Sequence, residues 1–91
     1  MLLFHIHNLI QDTSFLVFSP NEEGIDQLKK SLRMGKSSFP SLNKEWKENG
    51  EEAFAFGFLE ESDELEESLD DWLEVFDNVE YLGILDQNTG E

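Results

Sequence analysis

The chain of 91 residues contains no cysteine, which excludes a disulfide framework, a thiolate metal site and a cysteine nucleophile. No apolar run approaches the roughly 18 residues that indicate a membrane span. No basic segment precedes the first apolar stretch, so we expect no signal peptide and a cytoplasmic protein. Gly-rich phosphate loops, G-x-S-x-G elbows and EF-hand loops are also absent from the sequence. We therefore expect a protein that is not an enzyme and uses no cofactor or metal.

Basic residues are absent from the whole second half of the chain. All six lie between positions 29 and 47, whereas sixteen of the 21 acidic residues lie in 48–91. The formal net charge of −15 is therefore the sum of +1 for residues 1–47 and −16 for residues 48–91. Such acidity argues against direct binding to nucleic acid or to an anionic membrane. The asymmetry predicts a protein with one strongly negative face.

Large apolar side chains are plentiful despite the charge. Hydrophobic residues make up 38% of the chain and aromatic residues 12%, including eight phenylalanines. This content is typical of a folded domain and exceeds that of a disordered acidic tail. The length allows one domain. We predict a single globular domain over residues 1–85, followed by a frayed polar tail at 86–91.

Alternating and helical apolar patterns predict four strands and two long helices. Phe54, Phe56 and Phe58 share one face of a strand, and small residues occupy its other face. The predicted elements are strands at 2–10, 15–18, 53–59 and 79–85, helices at 20–34 and about 63–78, and a short helix at 41–49. Their order is β-β-α-(short α)-β-α-β. This indicates an α+β or α/β fold, a two-layer sandwich with both long helices on one sheet face.

Helix ends and the last strand carry more specific signals. Ser19 and Pro20 have the residue types of an N-cap and a first helical position, and Gly35 is a plausible helix terminator. Ser62 is an N-cap candidate for the second long helix. The last strand is apolar at both parities, which predicts an interior position in the sheet.

An acidic stripe runs along the second long helix. Its members are spaced 4, 3, 4 and 3 residues apart, which places them on one face opposite the apolar stripe. They are Asp63, Glu67, Asp70, Glu74 and Asp77. The stripe would extend about 21 Å along such a helix. The candidate partner-binding residues are Glu60, Asp63, Glu64, Glu67, Asp70, Asp71, Glu74 and Asp77.

This negative face predicts a binding protein that meets a basic partner, such as a nuclease toxin or another nucleic-acid-binding protein. In size and charge the chain is similar to bacterial immunity proteins and to phage-encoded DNA mimics. The resemblance is one of composition, and no motif carries functional residues over. A near-neutral first half fits the immunity-protein type better, because DNA mimics need charge over an extended surface. A solvated, solubilising helix face is the alternative meaning of the charge run.

Two other hypotheses remain open at this stage. The chain could be a structural or regulatory adaptor, such as a homodimer that uses an open sheet face. That face would be formed by Ala53, Ala55 and Gly57, or by Phe54, Phe56 and Phe58 if these are uncovered. Alternatively, His5 and His7 share a strand face, and a nearby carboxylate could complete a metal or general-base site. Two histidines at this spacing are more often polar residues on the less buried face of a strand.

Overall fold

The computed structural model describes residues 1–85. It contains one mixed β-sheet and three α-helices. The strands are β1 (Leu2–Asn8), β2 (Thr13–Ser19), β3 (Phe54–Glu61) and β4 (Val79–Ile84). The helices are α1 (Glu23–Arg33), α2 (Pro40–Asn49) and α3 (Leu65–Val75), with one 3₁₀ turn at Glu51–Ala53. The predicted α+β class and the order of elements are confirmed. The predicted tail at 86–91 lies outside the described residues.

The strands are ordered β3-β1-β2-β4 across the sheet. β1 and β2 form an antiparallel hairpin, β3 is antiparallel to β1, and β4 is parallel to β2. The prediction that the last strand is interior is therefore wrong, because β4 forms an edge. Its apolar residues at both parities have another cause: Leu82 packs into the cluster on one face and Val79 into the cluster on the other.

Helices cover both faces of the sheet. Phe4, Ile6, Phe15 and Val17 point to one face, where they join a core cluster with α1 and α2. A second cluster on the opposite face is formed by the remaining apolar residues of β1 and β2 and by α3; its buried members are Leu3, Leu16 and Phe18. The helix-on-sheet packing was predicted, but placing both long helices on one face was wrong. Interior strands that are apolar at both parities need a cover on each side.

The ends of α1 show one wrong and one confirmed prediction. Ser19 remains in β2 as a buried residue and does not cap the helix; instead the Asn21 Oδ1 atom accepts the Gly24 N–H at 3.1 Å. At the other end Gly35 adopts φ +69°, and the Lys36 N–H donates to the Ser31 carbonyl oxygen at 2.8 Å. This pairing is a Schellman motif, which requires the positive φ that glycine tolerates.

Helix α3 has three turns and is shorter than predicted. Just before its first residue, the Ser62 Oγ atom accepts a hydrogen bond from the Glu64 N–H at 3.1 Å. The helix ends before Phe76, whose backbone is extended (φ −102°, ψ 135°). The Phe76 ring stacks on the His5 ring, with 4.3 Å between the ring centroids. Two residues further, the Asn78 carbonyl oxygen accepts the Ser14 N–H at 2.8 Å and leads into β4. Within residues 1–85, no helix combines the length and apolarity needed to cross a bilayer.

Candidate binding surface on the third helix

The two sheet faces carry very different charges. All six basic residues follow β2 and precede β3, in the segment that contains α1 and α2, whereas residues 60–80 around α3 contain eleven acidic residues and no basic one. Within residues 1–85, Arg33 and Glu51 form an ion pair and the His7 Nε2 atom contacts the Asp12 carboxylate; neither contact includes a carboxylate of α3. The segment that contains all six basic residues therefore lies on the sheet face opposite α3 and does not neutralise its carboxylates.

The acidic stripe is shorter than its sequence spacing predicts. Glu67, Asp70 and Glu74 lie within α3, whereas Asp63 precedes the helix and Asp77 follows it. The helical part of the stripe therefore spans about 10 Å instead of about 21 Å. The exposed members of the predicted site are Asp63, Glu64, Glu67, Asp70, Asp71, Glu74 and Asp77.

Carboxylates on α3 are close enough to perturb each other. A hydrogen bond with Glu64, partial desolvation and the charge of Asp71 together raise the pKa of Glu67 above its usual range. The neighbouring carboxyl groups therefore disfavour the ionised form of Glu67, as expected for like charges three and four residues apart on a helix. A cationic surface placed on this side of α3 would relieve that repulsion.

Glu60 differs from the other predicted site residues because it points into the molecule. It is half-buried in β3, and its Oε1 atom accepts hydrogen bonds from the Ser68 hydroxyl and from the Trp72 Nε1–H, the latter at 2.9 Å. These two hydrogen bonds lower the pKa of Glu60, and the bond from Ser68 has the larger effect. Glu60 therefore attaches α3 to β3. The spacing of the acidic residues does not reveal this role, but a serine and a tryptophan four residues apart on one helix face could have suggested donors.

The underside of α3 is only half-buried. Of its residues, Ser68 alone is buried, at 6% exposure. Its apolar residues, with the following Phe76, pack against the sheet while remaining partly exposed; they are Leu65, Leu69, Trp72, Leu73 and Phe76. The helix thus rests on the sheet with modest burial and presents most of its surface to solvent.

Both histidine rings make contacts within the chain, although the buried His5 Nε2 atom has no hydrogen-bond partner among residues 1–85. The His5 ring stacks between Phe76 and His7, with centroid distances of 4.3 and 5.7 Å. The His7 Nε2 atom lies 2.9 Å from the Asp12 Oδ1 atom. Among residues 1–85, no three histidine or carboxylate side chains are grouped so that they could hold a metal ion. The pair therefore contributes aromatic packing at the end of α3.

The edge strand beside α3 was predicted as an interface only under the adaptor hypothesis, and Ala53 does not share its open face, because it is buried in the cluster with α1 and α2. Ala55 and Gly57 on its α3 side are exposed, and no atom lies within 4 Å of the position that a Gly57 Cβ would take. On the other side of the strand, Phe58 is 57% exposed. The alternation of phenylalanine with small residues was visible in the sequence, but the edge position of the strand was not.

Comparison with protein-family models, with curated proteins and with solved structures finds no match to this chain.

Proposed function

We propose that the chain is a small acidic binding protein whose α3 surface occupies a basic, nucleic-acid-binding-type surface of a partner protein, in the manner of an immunity-type nuclease inhibitor. The observation that supports this proposal is the separation of charge. Among residues 1–85, no carboxylate of α3 forms an ion pair, while all six lysine and arginine residues lie in the segment of α1 and α2 on the opposite sheet face. A partner that brings lysine and arginine side chains would supply the missing cations.

The electrostatic part of this proposal has a kinetic consequence. A concentrated negative face attracts a positive partner over a distance of about a Debye length, roughly 10 Å at 0.1 M salt. Complementary fields of this kind raise association rates at low ionic strength and exclude partners of like charge. The proposed partner is therefore a basic protein, with neither nucleic acid nor a membrane as a direct ligand.

The length of α3 favours this proposal over a DNA mimic. A mimic needs carboxylates over an extended, duplex-like surface, whereas the helical stripe of Glu67, Asp70 and Glu74 spans about 10 Å. A duplex presents a phosphate every 3.4 Å or so along each strand, so this stripe matches only a few phosphates. A short patch suits the blocking of one basic site.

Charge reversal tests the proposal directly. Glu67→Lys, Asp70→Lys and Glu74→Lys would be combined in one variant, and binding would be measured by capture from source-cell extract followed by titration of the purified partner. Each reversal adds two positive charges, so this variant carries −9 instead of −15. We expect loss of a basic partner, with the fold retained because the three side chains are exposed.

A matched control separates position from net charge. Glu22→Lys, Glu48→Lys and Glu52→Lys together also produce −9, but these exposed residues belong to the opposite layer. We expect this control to keep the partner, and a DNA duplex to compete with the chain for it. Equal binding by the α3 variant and the wild type, or equal loss in both variants, would contradict the proposal.

A further inference from the structure

Among the strands of residues 1–85, β3 lies at an edge of the sheet and pairs on one side only, with β1. The register with β1, together with the bond from the Leu9 N–H to the Ala53 carbonyl oxygen at 2.7 Å, shows which of its residues bond to β1. In an antiparallel pair, hydrogen-bonded and non-hydrogen-bonded positions alternate. Ala55 and Gly57 therefore direct their backbone groups towards β1. The N–H and carbonyl groups that point away from the sheet belong to Phe54, Phe56 and Phe58.

This stretch of edge is regular, whereas the opposite edge of the sheet is not. The pairing of β3 with β1 shifts register only beyond Phe58, between Leu3 and Phe4. On the other edge, β4 contains Gly83 at φ +113°, next to a register shift between Leu16 and Val17. Bulges and irregular residues of this kind protect an edge strand from further pairing. The regular part of β3 lacks such protection.

The two sides of this edge differ in chemistry. On the side of α1 and α2, the exposed ring of Phe58 offers an apolar surface. On the side of α3, the small residues Ala55 and Gly57 leave open space. The Ser68 hydroxyl donates a hydrogen bond to Glu60 of β3, so the side of α3 that carries Ser68 faces β3. Asp71 is three residues further along the helix and lies on the same side. The side of α3 that faces these small residues therefore carries at least one exposed carboxylate, that of Asp71.

We propose that the edge of β3 from Phe54 to Phe58 accepts an extended segment of the basic partner as a fifth strand, with alternating apolar and basic side chains. The apolar side chains of the partner's segment pack beside Phe58. Its lysine or arginine side chains extend over Ala55 and Gly57 towards the carboxylates of α3. This proposal rests on the proposed function, because it assigns the partner's charge. Main-chain pairing supplies affinity, and the two unlike faces supply specificity.

A second copy of this chain fits the edge poorly. Its own β3 carries no basic residue, and its net charge of −15 would repel an identical chain. A dimer that forms through this edge is therefore an outcome that overturns the choice of partner. Light scattering of the chain without any peptide reads out that outcome, and we expect a monomer.

The first test uses the wild-type chain and a synthetic peptide of alternating valine and lysine. A second peptide of the same composition, with the lysines in one block and the valines in another, has the same charge without the alternating pattern. We expect the alternating peptide to slow hydrogen exchange at the amides of Phe54, Phe56 and Phe58, and the block peptide to leave it unchanged. Unchanged exchange with both peptides would overturn strand addition.

The second test compares Phe58→Pro with Phe58→Ala. Both variants lose the ring, whose centroid lies 5.7 Å from that of Phe4, but only proline loses the outward N–H. We expect the alternating peptide to bind the proline variant about tenfold more weakly than the alanine variant. Equal affinities would overturn the proposal. If the proline variant does not fold, the exchange experiment on the wild type still decides the question.

The charge-reversed α3 variant distinguishes the two proposals. If it loses the peptide while Phe58→Pro and Phe58→Ala bind equally, the acidic surface acts without strand addition, and only the inference about β3 fails. If it keeps full affinity while Phe58→Pro loses the peptide, the edge binds a strand without help from α3, and the proposed function fails instead.

Discussion

The layer formed by α1 and α2 and the layer formed by α3 cover the same sheet in opposite ways. Residues 22–53 carry seven acidic and six basic residues, whereas residues 60–80 carry eleven acidic residues and no basic one. The buried apolar residues contributed by the first layer are Ile25, Leu28, Leu32, Leu42 and Trp46, each exposed by 7% or less. The apolar residues of α3 are only half-buried, and Val75 is exposed. One layer builds the core, and the other mainly exposes charge.

Basic residues of the first layer make contacts within that layer and with β3. The Arg33 guanidinium donates two hydrogen bonds to the Glu51 carboxylate, at 2.6 and 2.8 Å. The Lys29 ammonium lies 4.7 Å from the centre of the Phe56 ring. In the part of the chain that the structure describes, no carboxylate of α3 forms an ion pair. The contrast teaches that the net charge of −15 is mainly a property of one layer, which leaves that layer free to meet a cation from outside.

The largest expected effect tests the difference in burial between the two layers. Leu42 is a fully buried residue on the sheet-facing side of α2, so Leu42→Ala should destabilise the fold by about 2–5 kcal/mol. Leu69 lies half-exposed under α3, so Leu69→Ala should cost only about 1–2 kcal/mol. Urea unfolding monitored by tryptophan fluorescence measures both values. Equal losses would show that α3 contributes as much core as α2 and would remove the contrast.

The second prediction concerns pH and the stack that ends α3. Burial, and secondarily the charge of His7, lower the pKa of His5, so the folded chain binds this proton less readily than the unfolded chain. The resulting stability is fully present above a pH of about 6.5 and is lost as the pH falls below that value. His5→Phe should keep the stacking on Phe76 and flatten the stability profile between about pH 5 and 7.

The control for this experiment is His7→Gln, which keeps a hydrogen-bonding side chain near Asp12. It should retain most of the acid-induced loss, because burial is the main cause of the lowered pKa of His5. Thermal unfolding at several pH values compares the two variants with the wild type. If His5→Phe and the wild type lose stability in parallel, the titrating group lies elsewhere.

Local periodicity predicted the parts of the fold that depend on neighbouring residues. Ile25, Leu28 and Leu32 recur at helical spacing and are all buried, because a helix buries one side at that period. Gly35 ends α1 because a positive φ is a local requirement. The exposure of the α3 acids was likewise predictable, since they lie opposite the apolar stripe.

Contacts between distant residues explain what the sequence did not reveal. Phe76 matches the helical stripe of α3 by spacing, yet it leaves the helix to stack on His5, which lies in β1. The face on which α3 packs depends on the path of the chain from β3, at one edge of the sheet, to β4 at the other. The inward role of Glu60 requires Ser68 and Trp72 to be placed opposite it. The spacing of Ser68 and Trp72 on one helix face suggests a pair of donors, but no local pattern identifies the partner of any of these contacts.

The smallest expected effect compares one neutralised carboxylate in each layer. Glu67→Gln should stabilise the fold slightly at neutral pH, because it removes repulsion from Glu64 and Asp71. Glu48→Gln should have the opposite sign, because Lys44 lies four residues before it on α2 and attracts it. Urea midpoints at low salt measure both changes, and added salt should reduce both.

The pH dependence of Glu67→Gln provides the sharper comparison. The hydrogen bond with Glu64, and after it desolvation and the charge of Asp71, raise the pKa of Glu67. The folded wild type therefore binds this proton more readily than the unfolded chain and gains stability as the pH falls through that pKa. The advantage of Glu67→Gln over the wild type should therefore be largest at neutral pH and should shrink on acidification. A constant difference across the titration would mean that Glu67 is not repelled by its neighbours. In that case the acidic layer would already be relieved within the chain, and it would need no basic partner to stabilise it.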